Sequence, residues 1–379
     1  MKKLLGLYVK CFTVPIRWAV RAVVISRAKK LLKRHNFSNR YVEGEDAYLQ
    51  LWRSLYTGVT PVEYRFYSHY VGQNAKIVPE DVCHNFINPI LNPVKFRGYY
   101  EDKNIYNKIF PIDYTPAVLL RKIGGEYFDV DYQQIICLDE EYLLHYINGC
   151  DRVVIKPSID TSSGKGVMLF ERRNGMYLSI DGSAILDINF LDKYGSDFII
   201  QKCLTQSAFL NRLNATSINT IRISTYRSVK SDKVVVLGAL IRIGVKGSIV
   251  DNAHAGGSFV GVDENGVLGK YVCNQYGDIQ TTFNDIDFSK EILTLPDFDK
   301  IKDFAIEVSR SILHHRLLQL DVTVDDNGVI RIIEFNISGF SQWLYQLTGK
   351  SAFGEYTEEI IDYCRQNKHK AQKIFMSFA

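Results

Sequence analysis

The chain has no Cys-x-x-C pair, and its seven cysteines are an odd number. A disulfide framework or a zinc site is therefore not expected, and the pattern suits a reducing compartment. No uncharged apolar run approaches the ~18 residues that a membrane-spanning helix needs. Lys10 cuts the first apolar run short and no small-residue cleavage site follows it, so a signal peptide is not expected either. Internal repeats and low-complexity tracts are absent. No acidic residue precedes Glu43, whereas eleven Lys and Arg do. Net charge is only +4, and the basic excess is confined to that apolar-rich opening, which argues against nucleic acid as a partner.

What the chain does have is bulk. Its 379 residues are 46% hydrophobic, with 23 Tyr and 21 Phe, enough for a sizeable core and about two to three domains. Residues 1–42 interleave Lys10, Arg17 and Arg21 with Phe12, Trp18 and aliphatics. Such a pattern suits a basic amphipathic helix lying on an anionic membrane surface, and equally a helix packed on the body with its charges in water. Pro15 is expected to kink or restart it. Read as a membrane segment, residues 1–42 should be removable from a soluble body.

From Val153 to Phe170 an apolar strand delivers Lys156 and Pro157 into the loop Ser158–Gly166, and a second strand leads out. Gly164 and Gly166 flank Lys165 and follow Ser162 and Ser163, so many donors can turn toward one anion. A Walker A loop would need Gly-Lys-Ser/Thr opening a helix; here Lys165 precedes Gly166 and a strand. A hairpin lid over phosphates and a flexible surface hairpin both remain open.

Leu317–Asn336 reads as two strands around Asn327-Gly328, the pair favoured in two-residue type I′ turns. Counting back from that turn sets Asp321 opposite Glu334, with Asn336 on the same face. Opposed carboxylates repel, and the simplest remedy is a hard cation such as Mg²⁺ held by Asp321, Glu334 and Asn336. Elsewhere, Asp102-Lys103-Asn104 opens a helical stretch, Asp139–Ile147 and Ile301–Leu313 read as helices, and Glu355–Phe375 as a closing one. Thr220–Arg227 alternates, with Arg222 on the face opposite Ile221 and Ile223. The loop Asp251–Gly257 is irregular and holds His254, a candidate for chemistry or for a structural role. The fold class is α+β, mainly antiparallel.

In order and spacing, Lys103, Lys156-Pro157 with its Ser/Gly loop, a strand ending at Gln201, and Asp321 with Glu334-x-Asn336 resemble the ATP-grasp enzymes over roughly Tyr100 to Gly339. Asp102-Lys103-Asn104, the run Ser217–Arg222 and Asp251-Asn252…Gly256-Gly257 look like the sugar-transfer-associated branch, whose genes accompany surface-polysaccharide synthesis. The resemblance implies two α+β subdomains gripping ATP, a small one over 111–200 and a large one over 201–350. A mostly helical region, 43–110, would precede them and a helix, 351–379, would follow.

It further implies that Lys103, Lys156 and the loop (Ser162, Ser163, Gly164, Lys165, Gly166) contact phosphates. Gln201, Lys202 and Cys203 would form the adenine hinge, and Asn219 would join the nucleotide site. Asp321, Glu334 and Asn336 would hold Mg²⁺, with Arg222, Lys156 and His254 as the catalytic candidates. Gln201 departs from the Glu of many members, and Gln319 stands where D-alanine ligases carry an arginine. The implied activity is ligation of a carboxylate-bearing sugar or glycan to an amine or amino acid. A kinase on the same fold and a non-catalytic nucleotide binder are the alternatives. The implied location is cytoplasmic, against the inner face of the bacterial plasma membrane.

Overall fold

The computed structural model describes residues 2–159, 164–248 and 256–373, with backbone alone for residues 2–10. Two seven-stranded antiparallel sheets dominate it. The first holds β1 (Val118–Ile123), β2 (Glu126–Phe128), β3 (Gln134–Ile135), β4 (Arg152–Pro157), β5 (Met168–Arg173), β6 (Met176–Ser179) and β7 (Phe198–Lys202) in the order β3-β2-β1-β7-β4-β5-β6. The second holds β8 (Thr220–Arg227), β9 (Val234–Ile243), β10 (Ser258–Val262), β11 (Val272–Cys273) and β12 (Ile279–Gln280). After a two-stranded ribbon of β13 (Thr282–Phe283) and β14 (Ile286–Asp287), β15 (Leu317–Val324) and β16 (Ile330–Asn336) complete it in the order β12-β11-β10-β9-β8-β15-β16.

Each sheet buries one stripe of alternate residues. Val153, Ile155, Phe198 and Ile200 pack against Leu143 and Ile147 of helix Glu140–Ile147, whose first turn is capped by Asp139. Ile221, Ile223, Leu318, Leu320 and Val322 pack against Ile301, Ala305 and Val308 of helix Phe298–Ser311. The opposite face of the second sheet, at Tyr226, Leu240 and Phe259, is covered by the N-terminal helices and the closing helix.

Three sequence expectations change here. The helix α1 runs unbroken from Lys2 to Arg34 with Pro15 inside it. Val24, Ala28, Leu31 and Leu32 are buried, the last three in the core cluster beneath the second sheet, while Arg21 and Arg27 reach Asp81 and Glu80. Its second half is therefore part of the body rather than a removable segment. The closing helix is shorter than expected, Thr357–Gln366, because Asn367 turns its side-chain amide back onto the Tyr363 carbonyl at 2.9 Å.

The turn at Asn327-Gly328 is also not a two-residue one. Asp325 N–H bonds the Val329 carbonyl at 2.9 Å, only Gly328 has positive φ, and Val324 pairs with Ile330. This shifts the register by one, and a bulge between Asp321 and Val322 shifts it back. Asp321 does face Glu334, but through two departures that cancel. The bulge also exchanges neighbours: Ile332 enters the core and Ile333 lines the cleft.

Candidate functional site

The ends of β4 and β7 in the first sheet and the middle of β8, β15 and β16 in the second enclose a cavity of about 740 Å³. Six of its lining side chains are cationic and three are carboxylates, so its wall is set for an anion.

Lys103 is placed by a turn built to hold it. Asp102 accepts the Asn104 amide at 2.9 Å, and Asn104 donates to the Lys122 carbonyl at 3.0 Å. The Lys103 amide bonds the Ser158 carbonyl at 3.0 Å, which ties this turn to the end of β4. Its ammonium lies 3.5 Å from Glu334 Oε2, across the cleft between the sheets. Lys156, on β4, lines the same cavity, and burial first, then the Lys103 charge, pushes its pKa down to about 7.

The carboxylate pair read from the sequence is present, but arginines rather than an empty cradle relieve it. Register places Arg222 beside Asp321 on the neighbouring strand. Arg222 donates Nε to Asp321 Oδ1 at 2.7 Å and Nη2 to Oδ2 at 2.5 Å, and Arg242 Nη1 adds a third bond to Oδ2 at 3.2 Å. Despite burial, these charges hold the Asp321 carboxyl below its ordinary range, and Asp321 in turn raises Arg222. The Glu334 carboxyl adds a side-chain hydrogen bond to Asp321, so the two carboxyls meet beside the arginines. Among the described residues no group of three His, Cys, Asp or Glu could hold a metal. Glu334 and Asn336 face the cavity beside this cluster, and Asn336 Nδ2 is buried with no partner.

At the other end, Gln201 lies one residue before the end of β7, the central strand of the first sheet. Its Nε2 donates to the Pro116 carbonyl at 3.1 Å, while its buried Oε1 has no partner. Lys202 and Cys203 follow it along the cavity wall. The expected phosphate loop reaches the cavity at Gly164, whereas Lys165 is exposed and neither it nor Gly166 lines the wall. Ser162, Ser163 and His254 lie outside the described residues.

Asn219 does not join the site. It is fully buried and donates its side-chain amide to Gln206 Oε1 and to the carbonyls of Leu210 and Asn214, so it holds the 206–219 loop together. Sequence reasoning missed Arg242 and Trp343. Arg242 had a signal, a lone charge inside the apolar run Val234–Ile243; Trp343 had none, because its place depends on how helix Gln342–Leu347 folds back over the second sheet.

Two antiparallel sheets closing on a cationic cavity, with lysines from one side and carboxylates from the other, define an ATP-grasp fold. A family model described as sugar-transfer associated ATP-grasp matches residues 84–360, and the chain belongs to that family. No curated protein matches it.

Among solved structures it is similar to the ATP-grasp ligase PsnB, complexed with minimal precursor, Mg and ADP. Identity there is 11%, coverage 72% of this chain and 62% of that one, and the TM-score 0.38. It is similar also to the VanG D-Ala:D-Ser ligase from Enterococcus faecalis (13%, 70% and 60%, 0.37). A third is the N5-carboxyaminoimidazole synthetase from Staphylococcus aureus complexed with ADP (9%, 66% and 50%, 0.37). The chain thus spans between half and two thirds of the length of these proteins. At such scores the overlap is loose, and membership of the family rests on the sequence match.

Proposed function

We propose that this chain is an ATP- and Mg²⁺-dependent ligase that joins a carboxylate, on a uronic acid or another glycan, to an amine or amino acid. The observation that carries the reading is the cationic cavity with two orphaned groups on its wall. Gln201 Oε1 fits the amino group of an adenine, and Asn336 Nδ2, on the second sheet across the cavity, is a donor that suits a ligand oxygen. Lys103 and Lys156 suit phosphate oxygens as point charges. Glu334 and the Asn336 carboxamide oxygen, beside Asp321, suit a magnesium ion once phosphates offset the surrounding cations. Bound there, Mg²⁺ would neutralise charge on the phosphate oxygens.

The chemistry divides into two displacements. A carboxylate oxygen bonds to the terminal phosphorus and ADP leaves; an amine nitrogen then bonds to the carbonyl carbon, phosphate leaves, and the amine loses a proton. Lys156 and Arg222 stabilise the transferring phosphoryl group, Arg222 being held in position by Asp321. The Ser158–Gly166 loop serves as the lid that keeps water from the acyl phosphate. His254 is kept as a candidate for the proton. The polysaccharide setting goes with a cytoplasmic enzyme working against an anionic membrane surface.

The test is to screen release of ADP against a panel of uronates and amines and to identify the product. An amide together with ADP and phosphate supports the reading. A phosphoester with ADP would make the chain a kinase, and no release from any pair would favour a non-catalytic nucleotide binder.

A further inference from the structure

Over residues 11–23, α1 has its charges on the wrong side for a helix exposed to water. Helical spacing sets Cys11, Pro15, Trp18 and Ala22 on one stripe and Ile16, Ala19 and Val23 on the next. Every one of these residues is exposed; Trp18 is 72% and Val23 67% accessible. The basic residues of the same stretch turn inward. Arg17 donates to the Ala371 carbonyl and stacks 4.8 Å over Phe86, and Arg21 donates to the Gly58 carbonyl at 2.6 Å and faces Asp81. Further along the same outer stripes the character changes at once, to exposed Lys29, Lys30 and Lys33.

We infer that this outer face of α1 docks on an anionic lipid bilayer, with Trp18, Val23 and Ile16 among the acyl chains and Lys29, Lys30 and Lys33 on the headgroups. The inference deepens the membrane placement proposed above by naming the surface. The exposed apolar face from Cys11 to Val23 shares its turns with Arg17 and Arg21 on the opposite side and runs on into lysines, so the helix suits a place in the interface. Among the described residues no helix is long and apolar enough to cross.

Charge decides between a bilayer and a second copy of the chain. From Lys2 to Arg34 there is no acidic residue, so two such faces would bring lysines onto basic helices whichever way they ran. An anionic surface complements the whole helix. The helix also braces the cavity, since the Arg27 guanidinium lies 5.0 Å over the ring of Trp343 on its wall. The element that meets the bilayer thus supports the site that would receive a membrane-borne glycan.

The experiment is co-sedimentation of the full chain with phosphatidylcholine vesicles, with or without phosphatidylglycerol, at low and high salt. The chain should pellet with the anionic vesicles, with a blue shift of tryptophan emission, and be released by salt. Trp18→Ser/Val23→Ser should weaken vesicle binding about tenfold or more. Lys29→Gln/Lys30→Gln/Lys33→Gln should remove the preference for anionic lipid. Both sets sit at exposed positions, so unchanged thermal melting checks that the fold survives. Absence of pelleting, or pelleting that the Trp18/Val23 variant retains, overturns the inference. So does a concentration-dependent dimer in lipid-free solution that this variant abolishes, which would assign the face to a second copy. The readout is lipid binding, so its failure leaves the ligation chemistry untouched, and failure of ligation leaves the docking face standing.

Discussion

Lys156 shows how burial and charge prepare a single side chain for an anion. Its pKa, about 7 against an ordinary 10.5, means that the neutral form is favoured in the fold. The sign follows directly. Above about 10.5 the lysine is neutral folded or unfolded and has no effect on stability; below about 7 the fold must carry a charge that the unfolded chain carries more easily, and the cost is complete. Phosphates reverse this by favouring the ammonium, so binding near neutral pH takes up a proton. Nucleotide affinity should therefore fall as pH rises above about 7, by at most about tenfold per pH unit. Binding titrations across neutral pH check it, and Lys156→Arg, which stays charged, should flatten the profile.

Glu334 makes a second case at this scale. Two opposed carboxylates suggest from sequence alone that removing one charge relieves repulsion. With Arg222 and Arg242 on Asp321, and Lys103 and Lys156 beside Glu334, the sign reverses. Glu334→Gln should lower the stability of the ligand-free protein by about 1 kcal/mol or less, as suits a partly exposed ion pair. It should also cost about 10² in Mg²⁺-dependent turnover. Melting and kinetics on one preparation read both.

Among the elements, the β4–β5 hairpin is the one whose sequence states its conformation most directly. Gly166 has φ +78°, and a Cβ there would stand 2.9 Å from Pro157 Cγ. Tyr194 also donates its hydroxyl to the Gly166 carbonyl, which fixes the loop's return. Gly166→Ala should strain this hairpin by about 1–3 kcal/mol. The effect should appear as a Tm lowered by a few degrees together with a raised KM for ATP.

The β15–β16 hairpin teaches the opposite lesson about legibility. Counting back from a two-residue turn paired Asp321 with Glu334, and the pair is there only because a three-residue turn and a bulge cancel, neither of them readable from Asn327-Gly328. Such a bulge is decided by which of Ile332 and Ile333 the core accepts, a tertiary choice. Arg222 was visible as an inward cation on its strand, but its bond to Asp321 depends on β8 lying beside β15, which strand order alone supplies.

At the level of the whole molecule, the long central strands were legible, because period-two alternation and ordered motifs survive in one sequence, whereas β1 and the short strands β2, β3, β11 and β12 toward the sheet edges were not. The N-terminal layer was not. Its helix reads alike whether it lies on a membrane or on a protein, and the structure packs one face on the body and leaves the other exposed. Removing residues 1–34 would take Ala28, Leu31 and Leu32 out of the core and strip Arg21 and Arg27 from the buried acids Asp81 and Glu80. Burial already pushes the nearby Glu63 carboxyl well above its usual range, and the loss of Arg27 would raise it further. Truncation is therefore expected to give an insoluble or cooperatively destabilised chain. Leu32→Ala alone should cost about 2–5 kcal/mol, measurable by denaturant titration.

The molecule as a whole is read as a device that makes an acyl phosphate and shields it, and one measurement meets that claim head on. The full chain is incubated with ATP, Mg²⁺, candidate uronates and hydroxylamine in place of the amine, and the product is taken to mass spectrometry. The account predicts a hydroxamate of the uronate with one ADP and one phosphate per turnover, reduced about 10²–10³-fold in Lys156→Ala. A stable phosphoester on a sugar hydroxyl, formed with ADP and no hydroxamate, would contradict it.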